Sequence, residues 1–436
     1  MNPDFKNEKY LSHSDQLNVV DAIYKGIDSA VVYIQKYNKE EQTTYEDRQS
    51  VATLNNFVKR VVNSFEDIIF RKELDVSGLE GSVVAPYIDN IDYVNSLNTF
   101  SRQVLNNFEL NGKSYILIDA PIYSENVKSK ADEISQGLRP YMKLVDRLDI
   151  LNWRYNEQMK LSHVTIREVY DKGSHEFEEN YDVQYRVMYF GGRVDIWRDN
   201  EIYQTLELNY STIPLVEVGS DDVPVLYDLA KININHMNRS SELNNYIRIG
   251  AAPIPITWGM DIDPGETKVI GVNQGINFTG LKNETGLEWV EMTGSNATMI
   301  REQIKADEEA MLDIAVTLVT SNQPRTATEV SADNVENESK LVTSADTVEV
   351  AINKALEFFA AYLNTTLTEE QKVIVNKDFN SNKLTTAEVQ EYRADYLAGV
   401  ISWDTLMEVL TKGKQYPEMS EEEKAKEKAN LNDPGV

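Results

Sequence analysis

Cysteine is absent from the 436 residues, which excludes disulfides, thiolate metal sites and thiol redox chemistry. Histidine is nearly absent. His13, His163, His175 and His236 are the four, and no two share a metal-ligand spacing or stand in pattern with a serine nucleophile. No apolar run approaches the length of a membrane span. The opening residues, Met1 to Lys6, are polar and show no signal-peptide pattern, so a soluble chain is expected, cytoplasmic when made and with no membrane partner. Positive charge is also scarce: 43 Lys and Arg face 71 Asp and Glu, a formal charge of −28. That argues against a sequence-reading DNA binder, which needs a basic patch. It is compatible with an acidic wall past which a polyanion moves without sticking.

What is present is a 41% hydrophobic chain, enough for a sizeable core in two or three units, and 23 tyrosines, a residue suited to wet interfaces. The stretch that organises the rest runs from about Thr298 to Asn364. Ile300, Ile304, Met311, Ile314, Ala315, Leu318 and Val319 recur at three- and four-residue steps and predict a helix. Its other face carries Glu302, Asp307, Glu308, Glu309 and Asp313. Ser321-Asn322-Gln323-Pro324-Arg325 interrupts it, because the residue before Pro324 is driven out of the helical region. Thr326-x-x-Glu329 reads as a capping box for a second helix, polar as far as Lys340. That helix then bears an apolar stripe of Leu341, Ala345, Val348, Ile352, Leu356, Phe359 and Leu363. Such a half-polar helix suits a chain whose surroundings are completed by neighbours.

From the N-terminus, helical spacing predicts one helix from Gln16 to Tyr37 and another from Tyr45 to Phe70, then a loop over Ser77 to Pro86 and a helix over Asn95 to Asn107. Asn111-Gly112 turns into a strand from Tyr115 to Asp119, ended by Pro121. Tyr123 to Gln136 is a polar excursion. Alternating segments at Val164 to Tyr170, Tyr185 to Tyr189 and Val194 to Trp197 read as strands, with Gly191-Gly192 as a hairpin turn. Thr205 to Leu208 and Ile213 to Val218 add two more. Pro224 opens a helix that runs to Gly250. Ala251 to Thr293 is rich in Gly and Pro around short β-like runs, a small module inserted between two helices. Lys372 to Val375 is strand-like. Thr385-x-x-Glu388, Gly399 and Ser402 bound two short helices. From Glu418 the chain is charged and without an apolar face, the pattern of a flexible tail. Helix followed by strand is the grammar of an α/β or α+β unit.

Catalytic patterns are thin. Gly112-Lys113-Ser114 resembles the end of a phosphate-binding loop, but no glycine precedes it in the stretch around Phe108, and helix and strand stand in reversed order. A turn is the better reading, leaving a phosphate-handling hydrolase as the alternative function. Asp119 ends an apolar strand alone. Asp261, Asp263 and Glu266 flank Pro264-Gly265 without the spacing of a calcium loop. No cofactor and no metal is expected. Arg325, isolated in the polar loop between two long helices, is the one cation singled out.

The order of segments resembles that of the portal proteins of tailed bacteriophages, in a branch described as a phage domain of unknown function. The residues that carry the resemblance begin with Tyr45-Glu46-Asp47-Arg48 and Asn55-x-x-x-Lys59-Arg60-Val61-Val62. Gly112-Lys113-Ser114-Tyr115-Ile116-Leu117-Ile118-Asp119-Ala120-Pro121 follows, then Arg139-Pro140-Tyr141 and Asp149-Ile150-Leu151-Asn152-Trp153-Arg154. Gln184-Tyr185-Arg186-Val187, Ile213-Pro214-Leu215-Val216 and Leu229-Ala230-Lys231-Ile232-Asn233 come next. Glu309-Ala310-Met311 and Thr326-Ala327-Thr328-Glu329 complete the set.

The resemblance implies an α+β subunit with an α/β wing over 1–222 and stem helices at 223–250 and 297–320. A clip would occupy 251–296, a tunnel loop 321–326, a long wing helix 327–365, a short helical crown 366–415 and a charged tail 416–436. It implies no enzyme. It implies a ring, usually of twelve copies, at one capsid vertex in the virion, assembled in the host cytoplasm. Double-stranded DNA would pass through it without sequence-specific contacts. The terminase large subunit, a head–tail adaptor, and the major capsid and scaffolding proteins would be its partners. On that frame Ser321, Asn322, Gln323, Pro324 and Arg325 would meet the duplex. Glu302, Asp307, Glu308, Glu309 and Asp313 would approach the channel. Trp258, Phe278 and Trp289 would form the clip interface. A non-channel head–tail structural protein is the remaining alternative.

Overall fold

A computed structural model describes residues 2–121, 138–173, 179–208, 210–250, 254–258, 281, 284–290, 294–319, 327–377, 379 and 386–412. The polar excursion, the tunnel loop, Phe278, the calcium-like cluster, His175 and the charged tail lie outside them. The chain is α+β and divides into two compact units, residues 1–377 and 378–436.

The first unit opens with α1 (Glu8–Lys25), capped by Asn7, whose side chain accepts from the Lys9 amide. Gly26, at φ 114°, ends it, a left-handed backbone that a side chain resists. The apolar stripe continues past the glycine only as α2 (Ile27–Ala30) and one 3₁₀ turn, so the single helix expected to Tyr37 is divided. The next expected helix is also two, α3 (Gln42–Ser50) and α4 (Phe57–Ile69). Between them residues 51–56 leave the helical path and are held by polar side chains from far along the chain. The Asn244 amide donates to the Val51 carbonyl, and that of Asn233 to Asn55. Asn56 then caps α4, accepting from the Lys59 amide. The buried face of α4 is Val58, Val61, Val62, Phe65 and Ile69.

After α5 (Leu97–Asn111), Gly112 takes φ 70° and the chain enters β1 (Ser114–Asp119). β2 (Tyr141–Val145) and, much later, β8 (Leu215–Val218) flank β1 in an antiparallel three-stranded sheet. Between them, β3 (Ile150–Tyr155), β4 (Leu161–Asp171), β5 (Tyr181–Tyr189), β6 (Arg193–Arg198) and β7 (Glu201–Glu207) form a five-stranded meander. Gly191 and Gly192, both at positive φ, make the β5–β6 turn; a Cβ on Gly192 would lie 2.0 Å from the Leu208 carbonyl oxygen. The two sheets bury Leu117, Val145, Val164, Ile166, Met188, Val194, Ile196 and Leu215 in one cluster. Arg186 crosses the same junction, 3.1 Å from both Asp119 Oδ2 and Glu168 Oε1. Asp119, the lone strand-end carboxylate, is therefore matched by a cation and by the Tyr141 hydroxyl at 3.1 Å.

The long helix α8 (Ala327–Tyr362) packs on the three-stranded sheet and on α5. Its Leu341, Ala345, Val348, Ile352, Leu356 and Phe359 are buried, the stripe the periodicity predicts. The Lys372–Val375 run contributes a single bridge, Ile374 to Asp75.

The second unit is a helical pair, α9 (Thr386–Leu397) and α10 (Trp403–Lys412), closed over Val389, Leu406 and Leu410. Gly399 at φ 73° ends the first, and the Ser402 hydroxyl accepts from the Thr405 amide to start the second.

Candidate functional site

Two helices, α6 (Tyr227–Gly250) and α7 (Ser295–Val319), bracket the inserted module and pack on each other. The helical register of α6 begins at Tyr227, three residues after Pro224, whose carbonyl accepts from the Tyr227 amide. The inward face of α6 is unusually polar. Leu229, Ala230, Ile234 and Met237 alternate with buried Asn233, Ser240, Ser241 and Asn245. Asn233, Ser240 and Ser241 meet residues 31–57, while Asn245 accepts from Arg248 on the same helix. Asn233 accepts from the Phe57 amide at 3.1 Å, and Asn238 from Gln35 at 2.9 Å. Arg48, 3% exposed, reaches Ser241 while gripping Glu40.

The contact between α6 and α7 is ionic as well as apolar. Arg239 pairs with Asp307. His236 Nε2 lies 3.2 Å from Glu308 Oε1, and the imidazole is buried. Met311, one turn further, is fully covered. Two of the five acids on α7 are thus directed at α6. The other three, Glu302, Glu309 and Asp313, are exposed. Lys305 stands 3.7 Å from Glu309 across one helical turn, a surface pair of little energetic weight. The outward face of α7 carries Arg301 and Lys305 among its acids.

The module between the helices contains a two-stranded antiparallel ribbon, β9 (Ile254–Trp258) and β10 (Gly286–Val290). Gly286 stands opposite Trp258, and the indole lies across it; a Cβ at 286 would come within 2.3 Å of the ring. Trp289 is three residues on and projects from the other face. Trp258 is 46% and Trp289 49% exposed. A two-stranded ribbon is marginal by itself in water. Aromatic area open on both faces is what such a ribbon presents when other surfaces complete it.

The remaining sequence candidates are occupied by local structure. Lys113 lies 2.9 Å from Asp222 and 3.3 Å from Glu217, and Gly112 closes α5. Among the described residues no group of three or more His, Asp or Glu is arranged to hold a metal ion. No helix among them is long and apolar enough to cross a membrane. Arg48 and Arg186 enter the sequence reading only within the segments that carry the resemblance, with no role of their own, and Glu109 not at all. Glu109 is the least expected. One of its carboxyl oxygens is sealed from solvent, its chief partner is Ser344 on α8, and burial pushes its pKa up to about 7. No pattern in the sequence separates it from a solvated helix-end acid.

Residues 225–363, from α6 through α8, match the family model of a domain of unknown function, DUF4055. No curated protein matches the chain. Solved structures with which it shares a distant likeness come from gene transfer agent particles. One is a neck chain of an empty particle, with 13% identity and a TM-score of 0.38, over 86% of this chain and 95% of that one. Another is from the native virion, at 11% and 0.37, over 88% and 94%. A third, from the native neck, aligns at 14% and 0.39, over 85% and 93%.

Proposed function

We propose that the chain is one subunit of a portal ring, a closed assembly of about twelve copies at a capsid vertex through which double-stranded DNA enters and leaves. The observation that carries this reading is the run from α6 to α8. Two long helices bracket a small ribbon with open tryptophans, and a 36-residue helix comes next among the described residues. That is the order of stem, clip, stem, tunnel loop and long wing helix in the proteins the sequence resembles. The segment over which the family model matches is the same run.

In this reading Glu302, Glu309 and Asp313 approach the bore, while Asp307 and Glu308 fix the angle between the stems. A negative lining keeps DNA mobile, because strong neutralisation of many phosphates would hold it in place. Ser321 to Arg325 form the tunnel loop, whose polar side chains touch the backbone without reading bases. Trp258, Phe278 and Trp289 bury area against a neighbouring subunit and face the terminase or the head–tail adaptor. Capsid and scaffolding proteins contact the outside. No covalent step is assigned to the chain. Lys113, held by two carboxylates, offers no free cation to a phosphate, which favours this reading over a hydrolase.

Negative-stain electron microscopy of the purified chain, with sedimentation alongside, tests the reading. A ring with a central hole is expected. A monomer at high concentration in the presence of scaffold overturns it, and an assembly without a hole leaves a non-channel head–tail structural role.

A further inference from the structure

The five-stranded sheet has an outer face that the chain leaves partly empty. Arg154, His163 and Tyr189 are cross-strand neighbours on β3, β4 and β5, as are Asn152, Thr165 and Val187. They alternate with the core residues Val164, Ile166 and Met188, so they point away from the other sheet. Together with Trp197 they line a groove of about 510 Å³, within the range of ligand-sized sites. No acid lines it.

One wall of the groove is the chain's own N-terminal arm, Asn2 to Lys6. The arm is tethered at Asn7, whose amide donates to the Leu151 carbonyl at 2.8 Å on the outer edge of β3. Pro3 is buried, but Phe5 remains 65% exposed at the groove mouth. The tether fixes where the arm starts, and Phe5 borders the groove with most of its surface uncovered. The charges are also unmatched. Neither Asp4 nor Arg154 has an ion-pair partner among the described residues.

We propose that this groove receives the Phe5 arm of a second copy of the chain. The incoming phenyl packs on Tyr189, Val187 and Trp197, and the incoming Asp4 meets Arg154. An arm of one copy in the groove of the next is a contact that can repeat from subunit to subunit and close a ring when the rotation permits. The inference rests on the ring reading only for the presence of a neighbour.

The absence of cysteine allows a clean test. Full-length N2C and N152C chains, carrying tags of different size, are mixed before assembly and oxidised mildly. A disulfide-linked pair of unequal chains on a non-reducing gel is expected, with a several-fold loss of that product when Arg154→Glu is added to the N152C chain and recovery with Arg154→Lys. Sedimentation is run on the same samples. Rings that form with no inter-chain product, while the N2C/N152C double variant closes within one chain, overturn the arm contact and leave the ring intact. A cross-link indifferent to Arg154→Glu overturns the assigned pairing. Failure of every variant and of the parent chain to form rings overturns the ring reading instead.

Discussion

Arg48 Nε lies 2.7 Å from Glu40 Oε1, with the two side chains only 4% and 7% exposed. The guanidinium also donates to the second Glu40 oxygen and to the Gln35 carbonyl, and it sits 4.6 Å from the centre of the Tyr37 ring. The cation is thus fully employed, and the loop it closes lies against α6. Removing one partner of such a covered pair strands the other. Arg48→Met is expected to cost about 3 kcal/mol in urea unfolding. Arg48 holds the Glu40 carboxyl below its usual value of 4.5. The stabilisation is therefore present above that pH and lost as acid protonates the folded form, and the variant should lose less of its stability on acidification than the parent.

Glu109 gives the opposite pH dependence. Its folded pKa is raised, mainly by burial, to about 7 from 4.5. Below 4.5 both folded and unfolded chains hold the proton and nothing is lost. Between 4.5 and 7 the unfolded chain ionises first, so stability falls as pH rises, by about 3 kcal/mol in all. Glu109→Gln should flatten that descent. Thermal unfolding at pH 5 and pH 8 checks it: a gain for the variant at pH 8 that shrinks at pH 5 is expected, and an equal effect at both would remove the acid from the account.

The α6–α7 pairing is open to a double-mutant cycle. Arg239→Ala and Asp307→Ala should each destabilise the chain, and the double variant should cost less than their sum. A coupling of about 1 kcal/mol suits side chains that are partly covered. Additive losses would mean that the pair contributes nothing beyond its separate packing.

Gly286→Ala should push the Trp258 indole off the ribbon, since the added methyl would fall 2.3 Å from the ring. A shift in tryptophan emission that disappears in a Trp258→Phe background is the expected signature. Loss of self-association in the same variant would support a role for this face between subunits.

Much of the core was legible in the sequence. The stripe from Leu341 to Phe359 and the glycine pair at 191–192 are local signals, and both fix local structure. What escaped depends on distant partners. The stripe from Val51 to Phe65 reads as one helix, and only the amides of Asn233 and Asn244, nearly two hundred residues away, open it between α3 and α4. At Gly26 the break was visible as a residue type, yet hydrophobic periodicity runs straight through it. The acids of α7 illustrate the same limit. Spacing puts Asp307 and Glu308 on a polar face, but only the presence of Arg239 and His236 turns them toward α6.

The polar inner face of α6 has a mechanical consequence. Apolar side chains tolerate sliding, because one methyl contact replaces another at little cost; hydrogen bonds lose strength once donor and acceptor fall out of line. With Asn233, Asn238 and Asn244 each holding a main-chain group, α6 can neither roll nor creep against the segment that grips it. A displacement of α6 is therefore passed to the N-terminal helices that those amides hold, as a lever acts on its mounting.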